Sequence, residues 1–194
     1  MNKGSLLAVV VAVLTLMVVC PAQQSSSNRS MATGKAFIDK AAEINLGEVE
    51  LGKLAEQRGN NQAVKDFGRR MIQDHTQAEQ ELQQLAKQEG VTLPGQPGSE
   101  ANSLREQLSS ASGAQFDHIY LEHMLAGHKG AIAAFENEIE HGQDPAVKAY
   151  AEKVLPVIQD HVRIAEDVAG KMGMAGREGL EQPTKAITAP ATPR

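Results

Sequence analysis

Between residues 34 and 172 apolar side chains recur every three or four positions, the period of one face of an α-helix. The first run sets Phe37, Ala41, Ile44, Leu51 and Ala55 on one stripe, and the second sets Val64, Phe67, Met71, Ala78, Leu82 and Leu85. The third holds Leu121, Met124, Ala131, Phe135 and Ile139, and the fourth Val147, Ala151, Val154, Ile158, Ala165 and Val168. Each run predicts an amphipathic helix of about 20 to 28 residues, roughly twice the globular mean. Gly59-Asn60-Asn61 separates the first pair and Gly142-Gln143-Asp144-Pro145 the second. Breaks this short predict two antiparallel hairpins. Asp144 suits an N-cap and Pro145 the first helical turn.

The link between the pairs, residues 91–113, contains Pro94, Pro97 and several glycines, and Ser99 to Ser110 can form a short helix inside it. Extended chain covers ~3.3 Å per residue against 1.5 Å in a helix, so such a link can run the length of a bundle. The expected fold is all-α: a ferritin-like four-helix bundle made of two helical hairpins joined by a long crossover. The halves also echo one another. Ala63-Val64-Lys65 and Ala146-Val147-Lys148 open the second and fourth helices, and Ile72-Gln73-Asp74-His75 and Ile158-Gln159-Asp160-His161 lie further along them. This is the pattern of a diverged, duplicated hairpin.

Each stripe has one polar interruption: Glu48, His75, His128 and His161. Counted from the hairpin turns at about 1.5 Å per residue, their depths agree to about 6 Å, which puts all four near mid-bundle. Four buried polar groups at one level lose their water and need partners. Three imidazoles and a carboxylate make a first coordination shell for one transition metal ion: zinc, copper, nickel or iron. The competing reading is a metal-free network in which Glu48 bonds to one or more imidazoles and the rest bond to backbone or water. Asp74 and Asp160 each precede a stripe histidine; since side chains at i and i+1 diverge on a helix, they are expected to bond across to a neighbouring helix. His123 is expected at a partly exposed position, with a place beside Tyr120 at the border of the site as the alternative. Asp117, near the start of the third helix, is a further candidate there. Glu138 and His141 form an E-x-x-H expected at a solvated helix end.

The ends of the chain differ from this middle. Residues 1–22 read as an export signal, with Lys3, an apolar run from Leu6 to Val19 and small or polar residues from Ala22. The run is too short for a membrane-spanning helix. Cys20 stands where a lipoprotein signal places its lipidated cysteine, although Met17-Val18-Val19 departs from the usual small residue before it. Cleavage after Ala22 is the alternative. Residues 23–33 are expected as a polar linker, 34–172 as the helical domain, and 173–194 as a disordered tail rich in Pro, Ala and Thr. These assignments place the mature protein in the periplasm or cell envelope of a bacterium. It would have no transmembrane span and either a lipid anchor or none.

Composition narrows the chemistry. The chain has 194 residues, a formal charge of -5 and no long basic run, which argues against nucleic acid as a partner. One cysteine excludes an internal disulfide framework and a cysteine-based zinc site. With 3% aromatic residues and no tryptophan, the core has to be aliphatic.

At this point the sequence resembles a domain-of-unknown-function family of exported bacterial ferritin-like proteins, often labelled outer membrane proteins. The likeness covers residues 35–170. It rests on F-I-D-K-A-A from Phe37 with Glu48, and on V-K-D-F-G-R-R-M-I-Q-D-H from Val64. It also rests on F-D-H-I-Y-L-E-H from Phe116 with His128, and on L-P-V-I-Q-D-H from Leu155. The resemblance implies a four-helix fold and export, and no established activity. The alternating strands of an outer-membrane barrel are missing from the sequence. Di-iron members of the wider ferritin-like group carry Glu-x-x-His on two helices. Here Ile72 and Ile158 stand three residues before His75 and His161, which argues against a di-iron centre.

Three functions follow as expectations. The first is a non-catalytic exported domain with a mid-bundle metal site. The second is a metal-free envelope interaction or stress protein, with a partner in the envelope that the sequence does not identify. The third is a metal-dependent oxidase or hydrolase, which would need an open coordination position. No nucleophile–base pair or phosphate-binding loop supports other enzyme classes.

Overall fold

The computed structural model describes residues 21–174, with side chains from residue 34 onward. The described chain is all-helical: α1 (Pro21–Arg58), α2 (Gln62–Glu89), α3 (Ser99–Ser110), α4 (Gly113–His141) and α5 (Pro145–Lys171). The expected signal segment up to residue 20, Cys20 included, and the tail from residue 175 lie outside the described residues. None of the described helices is long and apolar enough to cross a membrane. Residues 23–33, expected as a linker, fall within α1. That stretch has neither Pro nor Gly between Pro21 and Gly34, so nothing in its backbone chemistry stops a helix.

Local sequence explains the breaks between helices. The Asn61 side chain caps α2 by accepting from the Ala63 amide, and Gly90 ends that helix in the left-handed conformation at φ 66°. Asp144 caps α5 by accepting from the amides of Ala146 and Val147, and Pro145 occupies the first turn, as the sequence predicts. The short crossover helix also appears at Ser99–Ser110.

The helices pack α1 on α2, α4 on α5 and α2 on α5, while α3 lies against both α1 and α4. Both carboxylate oxygens of Asp117, at the start of α4, accept 2.8 Å hydrogen bonds from the Asn60 and Asn61 amides. The link from α2 therefore returns to the α1–α2 turn before α4 begins. The α1–α2 crossing is unusually close. A Cβ on Gly68 would stand 2.7 Å from the Gly52 carbonyl oxygen, a space only hydrogen can occupy.

Two apolar clusters fill the interior. One, towards the α1–α2 turn, centres on Leu51, Phe67, Met71, Phe116, Leu121 and Met124, with Leu104 and Leu108 from α3. The other, towards the α4–α5 turn, centres on Ile38, Leu82, Phe135, Val147, Tyr150 and Ile158. The stripes expected on α2 and α5 are buried along their whole length. On α1 Ala41, Glu48, Leu51 and Ala55 are buried as expected, but the covered face is wider than the stripe: Ile38 and Asn45 are buried too, and Phe37 and Ile44 are only half-buried.

Candidate metal centre

A polar layer separates the two apolar clusters. Glu48 on α1, His75 on α2, His128 on α4 and His161 on α5 are only 8%, 6%, 2% and 2% exposed. The imidazole ring centres are 5.8 Å (His75–His128), 5.4 Å (His75–His161) and 5.2 Å (His128–His161) apart. One ring nitrogen from each of the three lies within 4.8 Å of the others. Glu48 lies outside that group, so three of the four expected residues converge.

The hydrogen bonds decide which ring nitrogen is free. A carbonyl or carboxylate oxygen only accepts, so the ring nitrogen facing it carries the proton. His75 Nδ1 donates to Asn45 Oδ1 at 3.0 Å, and the Asn45 amide nitrogen in turn reaches Glu79 at 3.4 Å. His128 Nδ1 donates to the Met124 carbonyl at 2.9 Å. His161 Nε2 donates to Asp74 Oδ2 at 2.9 Å. The remaining nitrogens, Nε2 of His75, Nε2 of His128 and Nδ1 of His161, keep their lone pairs. His161 Nδ1 and His128 Nε2 face one another at 3.3 Å, and His75 Nε2 is buried without a partner. In neutral rings two facing lone pairs repel, a contact that a metal ion or a shared proton between them would relieve. Donating the outer ring proton to a fixed acceptor is also how metal-ligating histidines are oriented.

The electrostatics favour neutral rings. Burial pushes His75 well below its ordinary pKa and His128 down to about 4, with the neighbouring imidazoles adding to both effects. His161 is lowered by burial against the opposing pull of Asp74. Burial raises Glu48 to about 8, and its Oε2 has no hydrogen-bond partner. The Tyr120 hydroxyl is likewise buried and unpartnered; its pKa is raised by burial and then by the Glu48 charge. A cavity of about 80 Å³, lined by Asn45, Glu48, His75, His123 and His128, opens beside the cluster under the N-terminal end of α3.

The other candidates divide. Asp74 reaches across from α2 to α5, as expected. Asp160 instead accepts from Arg163 on its own helix at 2.6 Å and pairs with Arg70 at 3.9 Å. Tyr120 lies in the core, and half-buried His123 lines the cavity. Asp117 does not belong to the site. It is fully buried at the hairpin turn, where the free amides of Asn60 and Asn61 need acceptors. Glu138 is also a correction: it is buried with one oxygen unpartnered, while His141 is exposed. Sequence reasoning missed Asn45, which orients His75. Its position three residues before Glu48, on the same helix face, was the available signal.

Fold and site together define an all-α protein with a histidine-rich layer between two apolar cores. The chain belongs to the family described as Domain of unknown function (DUF4142), whose model matches residues 20–168. Its fold is similar to that of a DUF305 fragment from Deinococcus radiodurans, with 17% identity, a TM-score of 0.63, and 71% of this chain and 95% of that one covered. It is also similar to a candidate secreted DUF305 protein from Streptomyces coelicolor, with 14% identity, a TM-score of 0.60, and 72% and 92% covered. No curated protein matches the chain.

Proposed function

We propose that this is an exported, ferritin-like four-helix protein that binds one transition metal ion through His75, His128 and His161. The observation that carries the reading is the set of three buried imidazoles whose outer protons are committed to Asn45, Met124 and Asp74, leaving three lone pairs within 4.8 Å of one another. Neutral imidazoles without sulfur suit zinc, copper, nickel or iron(II) rather than calcium or magnesium. With Ile72 and Ile158 at the positions where carboxylates would bridge, a di-iron centre is disfavoured. The short signal-like stretch at 1–22 supports export to the periplasm or envelope, with Cys20 as a lipid anchor point or Ala22 as the cleavage site. The two hairpins and the α3 crossover support the ferritin-like assignment. The role is binding or carrying the ion rather than catalysis.

Zinc and copper titration of the purified protein tests this, beside the double variant His75→Ala/His161→Ala. Stoichiometric uptake at micromolar metal that is lost in the double variant is expected; no uptake, or unchanged uptake in the variant, would overturn it. A metal-free structural layer has one specific observation in its favour, since a single proton held between His128 and His161 would also bridge their 3.3 Å contact. In that case replacing Glu48 and the three histidines with leucine leaves function intact and raises the melting temperature.

A further inference from the structure

The three facing imidazoles come from α2, α4 and α5, and the fourth long helix contributes none of them. The cavity lies on that missing side. Its walls include Ile44, Asn45 and Glu48 from α1, with His75 and His128 at its inner face, and Gly98 and His123 towards the surface. Glu48 is thus a buried carboxylate on the wall of a cavity that reaches two of the three imidazoles, but it does not join their cluster. Its Oε2 has no hydrogen-bond partner among the described residues. The available volume of about 80 Å³ holds a few water-sized molecules, far less than the pockets that take organic ligands.

We infer that a metal held by His75, His128 and His161 keeps an open fourth coordination position facing α1, filled by a small exchangeable oxygen donor of water-like size that is hydrogen-bonded to the Glu48 carboxylate. This rests on the metal-binding reading above and extends it from a closed site to an accessible one. Three protein ligands plus one exchangeable position is the arrangement that separates reactive metal sites from structural ones, which complete four protein ligands. Had Glu48 been close enough to complete the set, the site would be closed. The approach runs between the start of α3 and α4, past His123.

Loading the full protein with Co(II) and titrating sodium azide, followed by visible absorption, tests the inference. Co(II) bands appear on metal uptake and shift saturably with azide if the fourth position is open. Ile44→Phe, which fills the cavity from α1 without touching an imidazole, keeps the Co(II) bands and weakens azide binding by about tenfold or more. Glu48→Gln keeps the Co(II) bands and shifts the azide affinity by about threefold or more, since it alters the group that holds the exchangeable donor. Co(II) bands that azide leaves unchanged overturn the inference while sparing the metal reading. An azide response confined to Glu48→Gln does the same, because it makes Glu48 the fourth ligand. Absence of Co(II) bands overturns the metal reading itself and this inference with it.

Discussion

The two hairpins carry the same tetrapeptide, Ile-Gln-Asp-His, at residues 72–75 and 158–161, and use it differently. Asp74 accepts from Arg70 on its own helix and also from His161 across the bundle. Asp160 stays with arginines on the surface. His75 takes its orientation from Asn45 on α1 and frees Nε2, whereas His161 takes its orientation from Asp74 on α2 and frees Nδ1. Both histidines nevertheless end in one cluster. An identical local sequence thus specifies helix and depth, while the facing helix chooses the role of each polar atom. Packing differs too. α1 and α2 cross backbone to backbone at Gly52 and Gly68, while a Cβ on Gly127 or Gly130 of α4 would meet open space.

The largest expected break in this comparison is mechanical. Gly68→Ala drives a Cβ into the Gly52 carbonyl and should cost about 3 kcal/mol, the upper end for overpacking, because the obstacle is backbone. Gly130→Ala in the second hairpin should instead stabilise by up to about 1 kcal/mol through helix propensity. Urea denaturation of the two variants measures both; equal effects would erase the distinction between the hairpins.

Next comes the aspartate pair. Asp74→Ala should weaken zinc binding by about 10- to 100-fold, the usual effect of removing a carboxylate that orients a ligating histidine. Asp160→Ala should leave it unchanged. Competition against a chelator of known affinity reads the difference, and matched losses would show that the repeat acts symmetrically.

A third contrast concerns pH dependence, in metal-free protein. Glu48 has a raised folded pKa of about 8, so its native form keeps a proton that the unfolded chain has released, and stability falls as pH rises towards 8. The histidines have lowered folded pKa values, so the unfolded chain binds protons that the native rings refuse, and stability falls below about pH 6.5. The two slopes meet in a maximum near pH 6.5, changing by about 1.4 kcal/mol per pH unit for each proton involved. Melting temperature against pH should show that maximum, and Glu48→Gln should remove the alkaline decline only. A wild-type profile still rising at pH 8 would contradict the burial of an ionisable Glu48.

Most of the helical plan was legible because a buried stripe of period 3.6 leaves little freedom. On α2 and α5 every expected apolar position is buried. On α1 four of the six expected positions, Ala41, Glu48, Leu51 and Ala55, are buried, while Phe37 and Ile44 are only half-buried. This helix faces α3 and α4 as well as α2, so its covered face is wide and Asn45 does not announce itself as interior. The four polar interruptions were legible for the opposite reason: polar residues at core positions stand out against an aliphatic background.

The sequence by itself therefore determined the all-helical class, the turns and caps, the short crossover helix, and the common level of Glu48, His75, His128 and His161. These follow from periodicity and from the local chemistry of Asn61, Asp144 and Pro145. Only the tertiary structure decided that three of the four converge and that Asp74 serves the site while Asp160 does not. It also showed that Asp117 belongs to the hairpin turn and that a cavity lies against α1. Those outcomes depend on the rotation and spacing of helices distant in sequence. A difference of one helical position, about 100° of rotation, separates a residue that faces the cluster from one that faces water.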